Sequence, residues 1–129
     1  MDFDLGFALI GEDMDGTAAD LSDIGPASVV PIDQDTYVAI DEGFDRGEHA
    51  GWMHGIAVLT HRDRLVCQLV FSFDGRPEDS IVVHGVLPRD DGAIGAGWLA
   101  VTGGTGRFHK ASGTVRVDTQ NPKRFGFTF

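Results

Sequence analysis

The glycine-rich run Leu99–Phe108, with the sequence LAVTGGTGRF, is the stretch whose residue types most directly suggest chemistry. A strand that runs into Thr-Gly-Gly-Thr-Gly can present backbone N–H groups to a pyrophosphate at the N-terminus of a following helix. Of the 129 residues only 21 follow Phe108, too few for the helix, second strand and distal acid of a βαβ unit of about 30 residues. We therefore predict a turn between antiparallel strands, with Phe108 folded back as an apolar plug. The glycines expected at positive φ are Gly103, Gly104 and Gly106.

Two further residue types could carry chemistry, the single cysteine and the five histidines. Cys67 could act as a nucleophile, but no histidine can be placed beside it from the sequence, so we interpret it as apolar packing. The histidines form no HxH or HxxxH pair and predict no metal site; they are His49, His54, His61, His84 and His109. Trp52 and Trp98 offer flat aromatic faces that could line a lumen or pack at a barrel rim.

Charge is divided unevenly along the chain. Residues 1–48 hold thirteen acidic residues and one basic residue, whereas residues 49–129 hold seven acidic and nine basic residues, which gives the net charge of −10. This balance repels phosphate backbones and anionic lipid surfaces, so we expect neither nucleic acid nor membrane as a partner. The acidic segment is interpreted as a solvated N-terminal stretch and loop; the alternative is a lid or an electrostatic partner for the more basic remainder of the chain. One cysteine excludes an internal disulfide, and the absence of a basic leader or long apolar run predicts a cytoplasmic protein.

Alternation of apolar and polar residues dominates the chain, and helix signals are weak. We therefore expect strands to position the glycine run, the cysteine, the histidines and the tryptophans. In Leu65–Phe73, for example, Cys67, Leu69, Phe71 and Phe73 share one face. A short helical turn is predicted only at 18–21. About eight short strands with tight connections predict one all-β domain, a closed antiparallel barrel or a sandwich. The predicted strands are 2–9, 29–40, 52–60, 65–73, 81–87, 97–102, 114–119 and 125–129.

A resemblance to a known family rests on segments that follow one another from Val29 to the end of the chain. They are Val29–Gln34 with Tyr37 after it, His54–Leu59, Arg64–Phe73, Ile81–Gly85, the run Leu99–Phe108, and Asn121–Phe129 with its Pro and aromatic-rich strand. These segments are similar to the allene oxide cyclase and dirigent barrel family. The resemblance implies an eight-stranded antiparallel barrel of calycin type with an apolar lumen. Residues 29–129 would form the family-like core, and residues 1–28 an acidic first strand plus a loop or lid.

The resemblance also implies site residues. The family's cavity amide falls on Gln34, and a family tyrosine falls on Tyr37 by spacing. The family's first-strand glutamate has no clean counterpart, and strand alternation makes Asp13 the better carboxylate. The position of the family's cavity cysteine is Ala57 here, and Leu87 replaces its lumen tyrosine. The predicted catalytic residues are thus Gln34, Tyr37 and Asp13, and the predicted substrate-binding residues are Ile32, Met53, Cys67, Leu69, Phe71, Phe73, Leu87 and Trp98.

The function that the resemblance implies depends on confinement of a flexible apolar chain. Members of the family close a ring in a fatty-acid epoxide or steer the coupling of phenoxy radicals, and more distant small bacterial barrels close rings in polyketides. We therefore expect a cofactor-independent cyclase or isomerase of natural-product biosynthesis. It would catalyse intramolecular ring closure or cycloaddition of a hydrophobic polyketide- or fatty-acid-derived chain held in the barrel lumen. A homo-oligomer, dimer or trimer, is expected as well. The alternatives are a non-catalytic binder of dirigent or lipocalin type, and an assembly domain whose lumen is filled by its nine phenylalanines.

Overall fold

Strands account for most of the chain that the computed structural model describes, namely residues 6–13, 24–60, 62–90, 93–119 and 123–129. The strands are β1 (Phe7–Asp13), β2 (Val29–Ala39), β3 (Arg46–Leu59), β4 (Arg64–Phe73), β5 (Arg76–Asp90), β6 (Ala93–Ile94), β7 (Gly97–Thr105), β8 (Gly113–Thr119) and β9 (Lys123–Thr128). A single 3₁₀ turn, Gly106–Phe108, interrupts them in this part of the chain. The helical turn expected at 18–21 lies outside the described residues. No helix within these ranges is long and apolar enough to cross a membrane.

Strand pairing closes the sheet into a barrel. The strands run in the order β4-β3-β2-β1-β9-β8-β7-β5, every neighbouring pair is antiparallel, and β4 pairs with β5 to complete the circle. The two-residue strand β6 pairs only with the end of β5 and lies outside this circle. The prediction of a closed antiparallel barrel with about eight strands is therefore confirmed.

Alternate residues of each strand face the interior and form one apolar core. Burying a leucine or phenylalanine side chain contributes about 1.5–3 kcal/mol, so this core supplies most of the favourable energy of folding. The buried members are Leu9, Ala50, Met53, Ala57, Leu59, Leu65, Cys67, Leu69, Phe71, Phe73, Ile81, Val83, Leu87, Leu99, Val101, Phe108, Val115, Val117, Phe125 and Phe127.

Phenylalanine rings close one end of the barrel, which we call the plugged end. Phe108 is 4% exposed and stacks on Phe73 with their ring centroids 5.5 Å apart. Phe7 stacks on Phe127 at 4.7 Å and meets Phe129 at 5.7 Å. The plug predicted at Phe108 is confirmed, and neighbouring strands supply the rings that surround it.

The glycine run is mostly strand rather than turn, which differs from the prediction. Strand β7 continues to Thr105, and only then does the chain turn. Gly103 and Gly106 have positive φ, +150° and +63°, but Gly104 does not. A β-carbon at Gly104 would overlap the carbonyl oxygen of Ser80, so this glycine permits β7 to approach β5 closely.

Two strands begin five or more residues earlier than predicted. Strand β3 starts at Arg46 rather than at residue 52, and a bulge at Ala50 interrupts its pairing with β2. Strand β5 starts at Arg76 rather than at residue 81. Where β3 meets β4, a β-carbon at Gly51 would overlap the carbonyl oxygen of Ser72, so the two backbones can come this close only at glycine.

Candidate functional site

Two polar side chains on β2 lie in the largely apolar interior. Gln34 and Thr36 occupy the same face of the strand and are 5% and 1% exposed. They lie opposite Met53 and Gly51 of β3. Within the described part of the chain, the Thr36 hydroxyl oxygen is buried and has no hydrogen-bond partner. Such a group costs about 1–3 kcal/mol when it is left unpaired, so it indicates a partner such as an ordered water or a ligand.

Gly11 on β1 makes room for the Gln34 carboxamide. A β-carbon at Gly11 would lie 2.8 Å from Gln34 Oε1 and 2.8 Å from the ring of Phe125. The carboxamide therefore lies across Gly11 and beside an aromatic ring. Gly11 is also in register with Lys123 of β9, which strand alternation places on the same face as Phe125. The polar part of the interior is thus bordered by glycine, an aromatic ring and one basic residue.

The barrel end opposite the plugged end is lined by partly exposed apolar residues. Four of them pack against the core without being fully buried, and we call them the apolar mouth: Ile24, Val30, Ile32 and Ile94. Arg89 connects two other segments at this end. Its Nη1 donates to the Ile24 carbonyl oxygen at 3.0 Å, and its Nη2 forms an ion pair with Asp63 at 2.5 Å. Ile32 precedes Gln34 by two positions on β2, so the side chains of the mouth and of the polar part of the interior are neighbours on one face of that strand.

The structure brings most of the predicted site residues into the interior. Gln34 and Ile32 face it from β2, and six other predicted residues belong to the core: Met53, Cys67, Leu69, Phe71, Phe73 and Leu87. The backbone of Asp13 pairs with that of Gln34, while the Asp13 side chain lies outside the part of the structure that is described. The roles proposed for these residues stay predictions.

Tyr37 and Trp98 lie on the outside of the barrel, which corrects their predicted place in the lumen. Tyr37 follows Gln34 by three positions, an odd number, so strand alternation turns it to the opposite face. Its ring lies 5.2 Å from that of His49. Trp98 is 59% exposed because its neighbour Leu99 is the residue that β7 turns inward. Thr36, which alternation from Gln34 could have identified, was missed.

Cys67 is a buried thiol and not an activated nucleophile. It is 1% exposed, and burial raises its pKa to about 11. Its sulfur donates to the carbonyl oxygen of Leu65 at 3.6 Å. A thiol with that pKa stays protonated near neutral pH, which agrees with the packing role inferred from the sequence. Among the described residues no group of three His, Cys, Asp or Glu side chains could hold a metal ion.

His49 joins three parts of the outer surface, and we call this arrangement the His49 clamp. Its Nδ1 lies 2.5 Å from Asp74 Oδ2, in the turn after β4, and its Nε2 lies 3.0 Å from Asp35 Oδ1 on β2. The hydrogen bond to Asp74, followed by that to Asp35, raises the pKa of His49 above 6.5, while partial desolvation opposes the rise. Residues so far apart in sequence gave no signal for this contact.

We expect the His49 clamp to stabilise the barrel more at acidic than at alkaline pH. Because the folded-state pKa of His49 is raised, its contribution is fully present below the unfolded value of 6.5 and is lost as pH rises through the folded value. Thermal melts of the wild type and His49→Gln at about pH 6 and about pH 9 measure this. The difference in Tm between the two proteins should shrink at the higher pH. An equal difference at both pH values would contradict the clamp.

Comparison with known proteins identifies the class of fold. No protein-family model and no curated protein sequence matches the chain. Its barrel is dirigent-like: a pterocarpan synthase dirigent protein superposes with a TM-score of 0.61 and 18% identity, over 97% of this chain and 83% of that one. The structure of a pyocyanin demethylase superposes with a TM-score of 0.67 and 16% identity, over 96% of this chain and 98% of that one. At these identities the similarity establishes the fold alone.

Proposed function

We propose that the barrel interior binds an apolar small molecule and closes a ring in it, as a cofactor-independent cyclase or isomerase. The observation that carries the proposal is the Thr36 hydroxyl, buried without a hydrogen-bond partner in the described chain, beside the Gln34 carboxamide. An apolar chain with one carbonyl or hydroxyl oxygen complements such an interior. A polyketide- or fatty-acid-derived chain has this chemistry, and the apolar mouth would admit it.

Confinement would supply most of the catalysis. The apolar walls, among them Met53, Leu69 and Phe71, hold a flexible chain in a folded conformation, and such pre-organisation can lower a barrier by up to about 7–11 kcal/mol. The Thr36 O–H would donate a hydrogen bond to the substrate oxygen where charge develops, with the Gln34 carboxamide beside it. Ring closure only rearranges bonds within the substrate. Its product therefore has the same mass, and no external oxidant or cofactor is needed.

The structural neighbours support small-molecule chemistry in this type of fold. One is named as an enzyme that demethylates pyocyanin, and the other as a dirigent protein that takes part in pterocarpan synthesis. Neither name specifies the reaction or substrate proposed for the present chain.

A non-catalytic binder of dirigent or lipocalin type is the second candidate. It is favoured by the small number of acid–base groups on the inward face of the described strands. There the buried thiol of Cys67 is protonated near neutral pH, and the Asp79 carboxylate accepts the Arg107 N–H at the plugged end. Lys123 borders the polar part of the interior from the first residue of β9. Such a protein would hold the same apolar ligand without changing it.

An assay with linear polyene precursors distinguishes the two candidates. Mass spectrometry should detect an isobaric product of changed retention, formed about 10²-fold more slowly by Thr36→Val and Gln34→Leu. Removing an unpaired buried hydroxyl should leave Thr36→Val as stable as the wild type or about 1 kcal/mol more stable. Thr114→Val, on the exposed face of β8, is the matched control and should keep full activity. Tight binding without any product would favour the binder, and neither binding nor product would contradict both.

The expected homo-oligomer stays a prediction, and the outer surface of β2–β5 offers a place for contact between copies. One row in register across these strands consists of Val29, Val58, Val66 and Val86. The next row consists of Pro31, Ile56, Gln68 and His84. Neither row contains an acidic residue, lysine or arginine, so two copies of net charge −10 would meet there with least repulsion. Light scattering measures the subunit number.

A further inference from the structure

A groove of about 420 Å³ lies on the outside of the barrel, across β1, β9, β8 and β7. Its central row consists of Ala8, Gly126, Arg116 and Trp98, which are in register from strand to strand. The small residues Ala8 and Gly126 create the depression, and the indole of Trp98, 59% exposed, forms one wall. This volume is in the range of small-molecule sites, about 300–1,000 Å³. We call it the outer groove.

Two guanidinium groups converge on the outer groove. The Arg116 guanidinium lies 5.5 Å from the centroid of the Trp98 ring, and its Nε donates to Asp118 Oδ1 at 3.1 Å. Arg124 reaches over the floor, since its Nη1 lies 3.4 Å from the position of a β-carbon on Gly126. Cations beside an exposed aromatic face provide both stacking and charge for a ligand.

Arg124 has bonding capacity that the described protein leaves unused. Its Nε is buried and has no hydrogen-bond partner among the described residues. Its Nη2 makes only a long contact, 3.5 Å, with the carbonyl oxygen of Asp41. None of the ion pairs in the described ranges includes Arg124. A guanidinium without a carboxylate partner keeps its charge and its outer N–H groups available to an anion in the groove.

We propose that the outer groove is a second binding site, separate from the barrel interior, for a planar aromatic carboxylate. The aromatic ring stacks on Trp98, and the carboxylate lies between Arg116 and Arg124. Asp118 offsets one of the two positive charges, which favours a monoanion over a phosphate dianion. The planar guanidinium fork matches the two oxygens of a carboxylate.

NMR titration with three small probes tests the chemistry of the outer groove. The chain has two tryptophans, so its ¹H–¹⁵N spectrum contains two indole N–H signals, and Trp52→Phe assigns them. 2-Naphthoate should shift the Trp98 signal and leave that of Trp52 unchanged. The neutral 2-naphthalenemethanol and the non-planar cyclohexanecarboxylate should each bind at least tenfold more weakly. Equal affinity for the neutral alcohol, or a Trp98 signal that does not move, would overturn the proposal.

Variants separate this groove from the interior. Gly126→Val fills the floor while keeping both arginines, and its β-carbon meets Arg124 Nη1 at 3.4 Å and the Arg116 carbonyl oxygen at 3.9 Å, which are ordinary contacts. It and Arg124→Gln should each weaken naphthoate binding at least tenfold. Arg64→Gln, an exposed arginine on β4, is the matched control and should bind like the wild type. Should Arg124→Gln not fold, Gly126→Val decides, and its undiminished binding would refute the groove.

Discussion

Gly51→Ala is expected to destabilise the fold severely. The new β-carbon would overlap the carbonyl oxygen of Ser72 and lie 2.8 Å from the Cα of Phe73. Both atoms belong to the backbone of β4, so no side-chain rotation relieves the overlap, and β3 must separate from β4. Gly51 also pairs with Thr36 of β2, so the separation would reach the polar part of the interior. We expect a loss above about 3 kcal/mol, a large share of the roughly 5–15 kcal/mol that stabilises a domain.

Chemical denaturation of Gly51→Ala beside Gly25→Ala measures this effect. A β-carbon at Gly25 would meet nothing within 4 Å, so this control should stay within about 0.5 kcal/mol of the wild type. If Gly51→Ala unfolded at the same denaturant concentration as Gly25→Ala, the close approach of β3 and β4 would be refuted.

Asp79→Ala should produce the second large loss, about 2–4 kcal/mol. This carboxylate is 4% exposed, and its Oδ1 accepts the backbone N–H of Arg107 at 3.0 Å. A β-carbon at Gly106 would overlap the same oxygen, which shows how tightly the 3₁₀ turn wraps around it. The turn holds Phe108 on Phe73, so losing the carboxylate would loosen the plugged end.

Denaturation midpoints of Asp79→Ala, Asp79→Asn and Asp33→Ala provide the test. Asparagine keeps an oxygen acceptor for the Arg107 N–H and should lose less stability than alanine. Asp33 pairs with His54 on the exposed outer face, and its replacement should cost less than about 1 kcal/mol. Equal losses for Asp79→Ala and Asp33→Ala would show that the buried carboxylate does not organise the turn.

The fold was predictable where strands alternate cleanly. Residues 65–73 show one apolar face in the sequence, and β4 spans Arg64–Phe73 in the structure. The start of β5 was not predictable, because Asp79 is an inward, buried carboxylate whose partner lies 28 residues further along the chain. The bulge at Ala50 likewise breaks the alternation of apolar and polar residues in β3. The start of β3 therefore shows no strand pattern in the sequence.

The candidate site was predictable only in part. The resemblance to the family indicated Gln34. Strand alternation from Gln34 then requires Thr36 to face the interior and Tyr37 to face outward, so the family's spacing assigned Tyr37 to the wrong face of β2. The outer groove could not be read from the sequence, since Ala8, Gly126 and Trp98 meet only through the register of four strands. The His49 clamp could not be predicted for the same reason, because its two aspartate partners lie on another strand and in a turn.

The pairing of β4 with β5 has a consequence for self-association. An open sheet ends in two strands with bare N–H and C=O groups, and these can recruit further chains into fibrils. In this barrel β4 and β5, which would be the two edge strands of an open sheet, pair with each other. Every barrel strand therefore has a neighbour on each side. Polymerisation by strand addition would first require the ring of hydrogen bonds to break, which gives the molecule a built-in resistance to amyloid growth.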